Sequence, residues 1–402
     1  MDDLKFEAVK KIAETKFKYK DFGKISDLNT TSPPSVFIGS GLKYPSVNVG
    51  ILSPIESDEN AWIYDNAKYW ADNNFSIKDV VNLRENLLNS RFRGSVTDAR
   101  FGKGKFVEIA QQIALGSRPV DVEIQLKRNV NFNFRKDKVT MPQGLKGELK
   151  KARITGNVKI ERKVDKVIND DIKASKGIEY LYKNKFSEYV LSKILSVGVL
   201  GLKKDKKLVP TRWSITATDD IIGKKLIEKV KTYKWIENYE LFFGEFMGNC
   251  YLVMLLANVW SYELFELYFP GSSWNPGNKM KASTDFESFS GRKSYASNTA
   301  GGYYASRLPV LEYLDKERKQ ASVLVVRLEL PSYWASLGVW VVRESVRKAL
   351  KNKKLEFADL KELTDSSEKI GMIKFGYDPK KILKTSKLLE QVKTQTNLGK
   401  WF

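Results

Sequence analysis

The sequence predicts an α+β protein of two mixed lobes followed by a flexible C-terminal tail. Three observations carry this. Helix-like and strand-like segments alternate without the regular βαβ rhythm of a doubly wound sheet. At 402 residues the chain is long enough for two cores. A Gly- and Lys-rich break at 198–207 separates two stretches of strong apolar patterning. The expected organisation is an N-terminal domain over 1–197, a C-terminal domain over 208–375 and a tail over 376–402.

The elements follow in order. Phe6, Val9, Ile12 and Ala13 fall at helical spacing near the start. DLNTTSPP (27–34) reads as a loop, 35–41 as a strand entering a Gly turn, and 47–52 as its neighbour. Residues 79–90 and 105–114 read as helices, the second stopped by Gly116. VDVEIQL (120–126) alternates apolar and polar residues, as a half-buried strand does. Residues 132–157 are basic and irregular, and 178–197 carry a helical apolar stripe. Strands at 251–258 and 262–269 read as a hairpin. The β-branched run 322–330 reads as a strand, and 333–351 as a helix.

Composition narrows the chemistry. The chain has one Cys and no His, so a Cys/His zinc site, an internal disulfide and every His-dependent triad are excluded. A metal would need carboxylate and carbonyl ligands, which suit Mg²⁺ or Mn²⁺. Lys and Arg outnumber Asp and Glu by 69 to 48, a net charge of +21. That excess points to a polyanionic partner, nucleic acid first. A Lys-rich thermophile surface is the other source of such a balance. No apolar run approaches the roughly 18 residues that cross a membrane. MDDLKFEAVKK (1–11) lacks the apolar core of a signal peptide. A cytoplasmic protein associated with the nucleoid is the expectation.

Four constellations could carry chemistry. Gly39, Ser40 and Gly41 form a turn whose N–H groups could cradle a phosphate, or a plain tight turn. SRFRGSVTDAR (90–100) gathers Arg91, Arg93 and Arg100 with Asp98; Arg forks suit phosphate oxygens, and a solvated loop is the other reading. VPTRWSITATDDIIGK (209–224) places Thr211, Arg212 and Trp213 where a base could stack or a phosphate bind. In the same block Thr218 reads as a helix N-cap, with Asp219 and Asp220 in the first turn. The acidic pair is also a minimal Mg²⁺ ligand set, and with Asp98 supplies the candidate catalytic carboxylates. The polar stretch 271–302, bearing Arg292, Lys293, Tyr295 and Asn298, reads as a lid or nucleic-acid loop; Gly301, Gly302 and Tyr303 close it.

QTNLGKWF (395–402) places Gln395, Leu398, Trp401 and Phe402 in the pattern Q-x-x-aliphatic-x-x-aromatic-aromatic. One helical turn brings the last three to one side as an apolar plug, with Gln395 at its rim. The pattern resembles the peptide by which replication and repair proteins bind the sliding clamp PCNA. Packing of the two aromatics on the protein's own core is the alternative.

The blocks PSVFIGSGLKYPSVNVGILSP (34–54), 209–224 and GGYYASR (301–307) resemble the archaeal Nre DNA-repair family over nearly the full chain. The resemblance implies an N- and C-terminal two-part architecture, a role in the response to DNA damage and recruitment to PCNA. Some members carry an N-terminal Cys-rich zinc motif, which this chain lacks. The resulting expectation is a clamp-recruited repair factor that binds nucleic acid or a nucleotide. In its enzymatic form it would be a metal-dependent phosphoester or nucleotide hydrolase. A non-enzymatic clamp- and DNA-binding adaptor and an RNA-binding protein are the alternatives. The four constellations are expected to converge on one site.

Overall fold

A computed structural model describes residues 26–100, 104–130 and 144–394. The chain divides into two compact units at Ile222/Gly223. The α+β class is as the patterning predicts: each unit is built on a mixed six-stranded sheet. The expected break at 198–207 is not where the units part. Instead, the division falls within a single helix, Thr211–Val230.

In the unit ending at Ile222 the strands are β1 (Asp27–Ser32), β2 (Val36–Gly39), β3 (Ser46–Pro54), β4 (Leu87–Ser95), β5 (Val120–Leu126) and β6 (Lys146–Ile154). The helices are α1 (Ala67–Asp72), α2 (Ile77–Glu85), α3 (Lys105–Leu115), α4 (Arg162–Asn169), α5 (Ala174–Lys183), α6 (Glu188–Ser196) and, as far as Ile222, the first part of α7 (Thr211–Val230). The sheet runs β1-β5-β6-β4-β3-β2, antiparallel except for the β4/β6 pair. It curls, because β1 returns to the far end of β3. There Thr30 Oγ1 donates to Pro54 O at 2.7 Å and Ser32 Oγ to Leu52 O at 2.8 Å. The inward positions Val49, Ile51, Phe92, Val122, Ile124 and Leu149 are buried. Helix α3 lies against β2, β3 and β6.

Residues 27–32 are a strand rather than a loop, paired along their whole length with β5. The helix expected at 79–90 stops at Glu85, and 87–95 is the strand β4. The irregular segment expected at 132–157 contains β6. The helix expected at 178–197 is two helices, separated where Lys185 takes a left-handed φ of 71°.

In the other unit the strands are β7 (Tyr239–Phe246), β8 (Asn249–Leu256), β9 (Ser261–Tyr268), β10 (Lys281–Glu287), β11 (Ser322–Glu329) and β12 (Leu355–Phe357). The helices are α8 (Ala300–Glu317), α9 (Trp340–Lys351), α10 (Leu360–Phe375), α11 (Lys380–Leu383) and α12 (Lys387–Thr394). The order is β10-β9-β11-β8-β7-β12. The expected β8/β9 hairpin does not form: β11 lies between them, parallel to β9 and antiparallel to β8. A four-residue connection can skip one strand, because two spacings of about 4.8 Å are within its reach.

One face of this sheet is apolar. Leu252, Met254, Phe265, Leu267, Leu324 and Val326 pack with Leu363 of α10, Ile382 and Leu383 of α11, and Leu388 and Leu389 of α12. Residues 376–394, expected to be a flexible tether, are therefore part of the core. Glu263, the one carboxylate on this face of β9, accepts the N–H groups of Lys387 and Leu388 at 3.2 and 3.0 Å. It thereby satisfies the open amides at the start of α12.

Candidate nucleic-acid interface

The outer face of the β1–β6 sheet is the strongest candidate site. Directly opposed residues on neighbouring strands share a face. Gly39 opposes Asn48, which opposes Arg93; Phe37 opposes Gly50, which opposes Arg91, which opposes Glu148. Val49, Ile51 and Phe92, the intervening residues, point inward and are buried. Strand alternation thus turns both arginines of SRFRG outward and drives Phe92 into the core.

On β6 an irregularity extends this basic strip. The β5/β6 register shifts between Gln125 and Leu126, so Gln125 pairs with Lys151 but Leu126 with Leu149. The unpaired extra residue is Lys150, and both Lys150 and Lys151 are exposed. Lys146 and Arg153 are exposed on the same strand. Glu148 sits among these cations. Its hydrogen bond and ion pair with Lys127, at 2.5 Å, and the nearby Arg128 and Arg93 hold its carboxyl below the usual range. The strip therefore keeps a positive surplus after its internal pairing.

Thr211 belongs beside this face. Its Oγ1 accepts the N–H of Ile38 at 2.9 Å and lies 3.4 Å from Ser196 Oγ. The first turn of α7 is thereby pinned at the free edge of β2, next to Gly39. Arg212 and Trp213 are exposed on that turn, Trp213 to 56%. Gly39 and Arg93 lie two strand spacings apart, ~10 Å, and Thr211 sits beyond Gly39 at the sheet edge. The turn at Ser40 and Gly41 is exposed, and a Cβ at Gly41 would meet nothing within 4 Å. Gly41 is therefore not required by local packing.

Other expected site residues have structural work instead. Asp98 Oδ2 accepts the N–H of Ser95 at 2.7 Å and closes the turn after β4. Arg100 Nε donates to Lys206 O at 3.1 Å. Helix α7 starts at Thr211, not at Thr218, so Asp219 and Asp220 lie mid-helix and Thr218 is no cap. Asp219 is buried and Asp220 half-buried; adjacent helical residues point about 100° apart, which does not make a pincer for one ion. Among the described residues no group of three or more His, Cys, Asp or Glu could hold a metal ion.

Gly301, Gly302 and Tyr303 fall in the other unit, in the first turn of α8. They do not form a phosphate turn. A Cβ on Gly302 would stand 2.4 Å from Glu266 Oε1, so an anion lies directly against this backbone. Tyr303 is fully buried.

Glu266 belongs to a buried ionic layer that sequence reasoning missed. Arg327 Nη1 donates to Glu266 at 2.6 Å, Nη2 to Glu329 at 2.7 Å, and Nε and Nη2 to Asn249 Oδ1 at 3.0 and 2.7 Å. Tyr268 Oη donates to Glu266 at 2.6 Å, and Arg307 pairs with Glu287 at 2.8 Å. Burial pushes the Glu329 carboxyl up, against the opposing pull of Arg327. The one available signal was a charged pair, Arg327 and Glu329, at alternate positions of an otherwise apolar strand, SVLVVRLE. Gln395, Leu398, Trp401 and Phe402 lie outside the described residues.

Residues 5–275 match the profile described as Archaeal Nre, N-terminal, and residues 287–401 match Archaeal Nre, C-terminal. The chain belongs to the archaeal Nre family. It is 41% identical over 344 residues to DNA repair protein NreA of Archaeoglobus fulgidus, covering 84% of each chain. It is 39% identical over 338 residues to DNA repair protein NreA of Haloferax volcanii, covering 83% of this chain and 80% of the relative. DNA repair protein NreB of Archaeoglobus fulgidus is 35% identical over 338 residues, 84% of this chain and 83% of the relative. No solved structure matches the chain significantly. The two Nre profiles cross the structural division: strands β7 to β9 fall in the N-terminal one, β11 and β12 in the C-terminal one. The second sheet therefore takes strands from both. Among the described residues no helix is long and apolar enough to cross a membrane.

Proposed function

We propose that this Nre-family chain is a DNA-repair protein that grips nucleic-acid phosphates on the outer face of the β1–β6 sheet. The observation that carries the reading is the outward strip in which Arg91 and Arg93 continue into the bulged pair Lys150 and Lys151. Arg forks and clustered ammonium groups suit phosphate oxygens without reading bases. Arg212 and Trp213 extend the strip past the edge of β2. The names of the relatives favour DNA over RNA as the polymer and repair as the setting, and association with the nucleoid is part of the same proposal.

Recruitment to the sliding clamp PCNA through Gln395, Leu398, Trp401 and Phe402 is part of the same proposal and rests on their spacing. A binding protein fits better than a hydrolase, because Asp98 closes a turn and Asp219 and Asp220 diverge on α7. Hydrolysis with Mg²⁺ or Mn²⁺, and a nucleotide ligand, have no comparable geometric support. Fluorescence anisotropy with labelled duplex tests the reading. Replacing Arg91, Arg93, Lys150 and Lys151 together with Ala should abolish measurable affinity at moderate salt and leave the melting temperature unchanged. Undiminished affinity would remove the proposal's basis.

A further inference from the structure

We infer that the unit beginning at Gly223 carries a separate stacking platform for the unpaired bases of single-stranded nucleic acid. The platform lies at one end of its sheet. There β9 and β11 begin and β10 ends, since Ser322 pairs with Ser261 and Glu287 with Tyr262. Two turns sit at this end, 231–236 and 288–299. Between them they expose Trp235 to 54%, Phe289 to 43% and Tyr295 to 54%. Lys231 Nζ stands 4.5 Å from the Phe289 ring centre, so the two turns are in contact. Lys234 and Lys293 are exposed beside the rings.

Both turns are fixed from beneath. Gln320 is buried; its Nε2 donates to the carbonyl of Tyr233, its N–H to Lys234 O at 3.0 Å, and its carbonyl accepts the N–H of Ile236 at 3.0 Å. Arg292, expected to face a ligand, is turned inward. It donates to the carbonyls of Phe286, Tyr295 and Ser294 at 2.9, 3.1 and 3.3 Å and pairs with Asp285 at 3.1 Å. Tyr304 Oη accepts the N–H of Ala296 at 3.0 Å, and its ring supports Tyr295 at 5.4 Å and 24°. Tyr295 therefore rests one face on Tyr304 and still presents more than half its surface.

Large aromatics held outward on rigid turns, with ammonium groups between them, have the composition on which successive bases stack while phosphates meet the cations. Duplex DNA hides its base faces, so this platform discriminates strand state. It is independent of the phosphate strip on β3, β4 and β6. A protein partner would be the other occupant of exposed aromatics; the interleaved Lys231, Lys234 and Lys293 and the chain's charge of +21 favour the polyanion.

The test titrates the full chain with labelled oligo-dT, an abasic oligonucleotide of equal length and a duplex. Phe289→Ala with Tyr295→Ala should weaken oligo-dT binding by about 10-fold or more. The change should leave duplex affinity and melting temperature unaltered. Phe289→Tyr with Tyr295→Phe, which keeps both rings, should retain oligo-dT affinity. The abasic strand should bind the unaltered protein at least as weakly as oligo-dT binds the Ala variant, in which Trp235 remains. Arg91→Ala with Arg93→Ala should lower duplex affinity and spare the difference between oligo-dT and abasic strands. Equal binding of oligo-dT and abasic strands, or equal losses on duplex and single strand, would overturn the platform. So would an unchanged oligo-dT affinity in the Ala variant, as a protein-docking patch predicts.

Discussion

Replacing Gly302 with Ala separates a structural role for the GGYY turn from a phosphate-binding one. The added methyl would stand 2.4 Å from Glu266 Oε1, 3.0 Å from its Cδ and 3.2 Å from Oε2. The carboxylate must retreat by roughly 1 Å to reach ordinary contact. It has no slack, because Arg327 holds one oxygen at 2.6 Å and Tyr268 the other at 2.6 Å. A retreat of that size stretches at least one of these bonds past its useful range. A buried charge-assisted hydrogen bond contributes about 1.5–3 kcal/mol, and overpacking adds to the loss. Helix propensity offsets up to ~1 kcal/mol, since Ala is the better helix former. The net expectation is a destabilisation of about 2 kcal/mol. For a unit of this size that is a fall of about 4–8 °C in melting temperature. Differential scanning calorimetry beside a DNA titration checks it: the transition should fall and DNA affinity should stay. Gly41→Ala, with open space around it, is the neutral control for stability. Unchanged stability together with lost DNA affinity would mean that the GGYY turn binds phosphate and that Glu266 yields freely.

Other expected outcomes concern the two sheets and the segment after α12. Burial pushes the Glu85 carboxyl up from 4.5 to about 7, and its Oε2 has no hydrogen-bond partner. A raised carboxyl means stability is fully present below the ordinary carboxylate range and is lost as pH rises through about 7. Glu85→Gln should therefore flatten the decline in urea-unfolding stability between pH 4.5 and 7, and stabilise by up to ~3 kcal/mol at pH 8. Leu388→Ala should destabilise by about 2–5 kcal/mol in the same assay, because Leu388 is fully buried under the second sheet. A chain cut after Thr394, or one with Trp401→Ala and Phe402→Ala, should lose PCNA binding by at least ~30-fold in calorimetry. Its melting temperature should be unchanged, since α12 and its buried leucines remain.

What the sequence made legible follows from what each strand buries. VDVEIQL showed itself because only one of its faces is covered, so polarity alternates. SRFRG and KGELKKARI did not, because their outward residues are charged and the bulge at Lys150 breaks the alternation. The same outward charges that obscured these strands are the ones that form the candidate interface. Strand β8 was recognisable as an apolar run and β9 by its aromatic and Leu residues, but both are buried on two faces, and periodicity says nothing about which neighbour each takes. Chain proximity favoured a hairpin, and β11 arrived from more than fifty residues away to separate them. Arg91, Arg93 and Thr211 could be singled out by residue type. Their assembly depends on cross-strand register and on the Ile38–Thr211 bond, which no local pattern encodes. The carboxylates misled for the opposite reason: Asp219 and Asp220 resemble a helix start, but Pro210 begins the helix two turns earlier by accepting the N–H groups of Trp213 and Ser214.

The salt dependence of duplex binding reports whether Arg91 and Arg93 grip phosphates. Phosphate contacts release counterions, so the logarithm of affinity falls linearly with the logarithm of salt, by about 0.9 for each phosphate neutralised. Arg91→Ala with Arg93→Ala should reduce that slope by about 2 and weaken binding alike on unrelated duplex sequences. An unchanged slope in this double variant would place the phosphate contacts elsewhere on the protein.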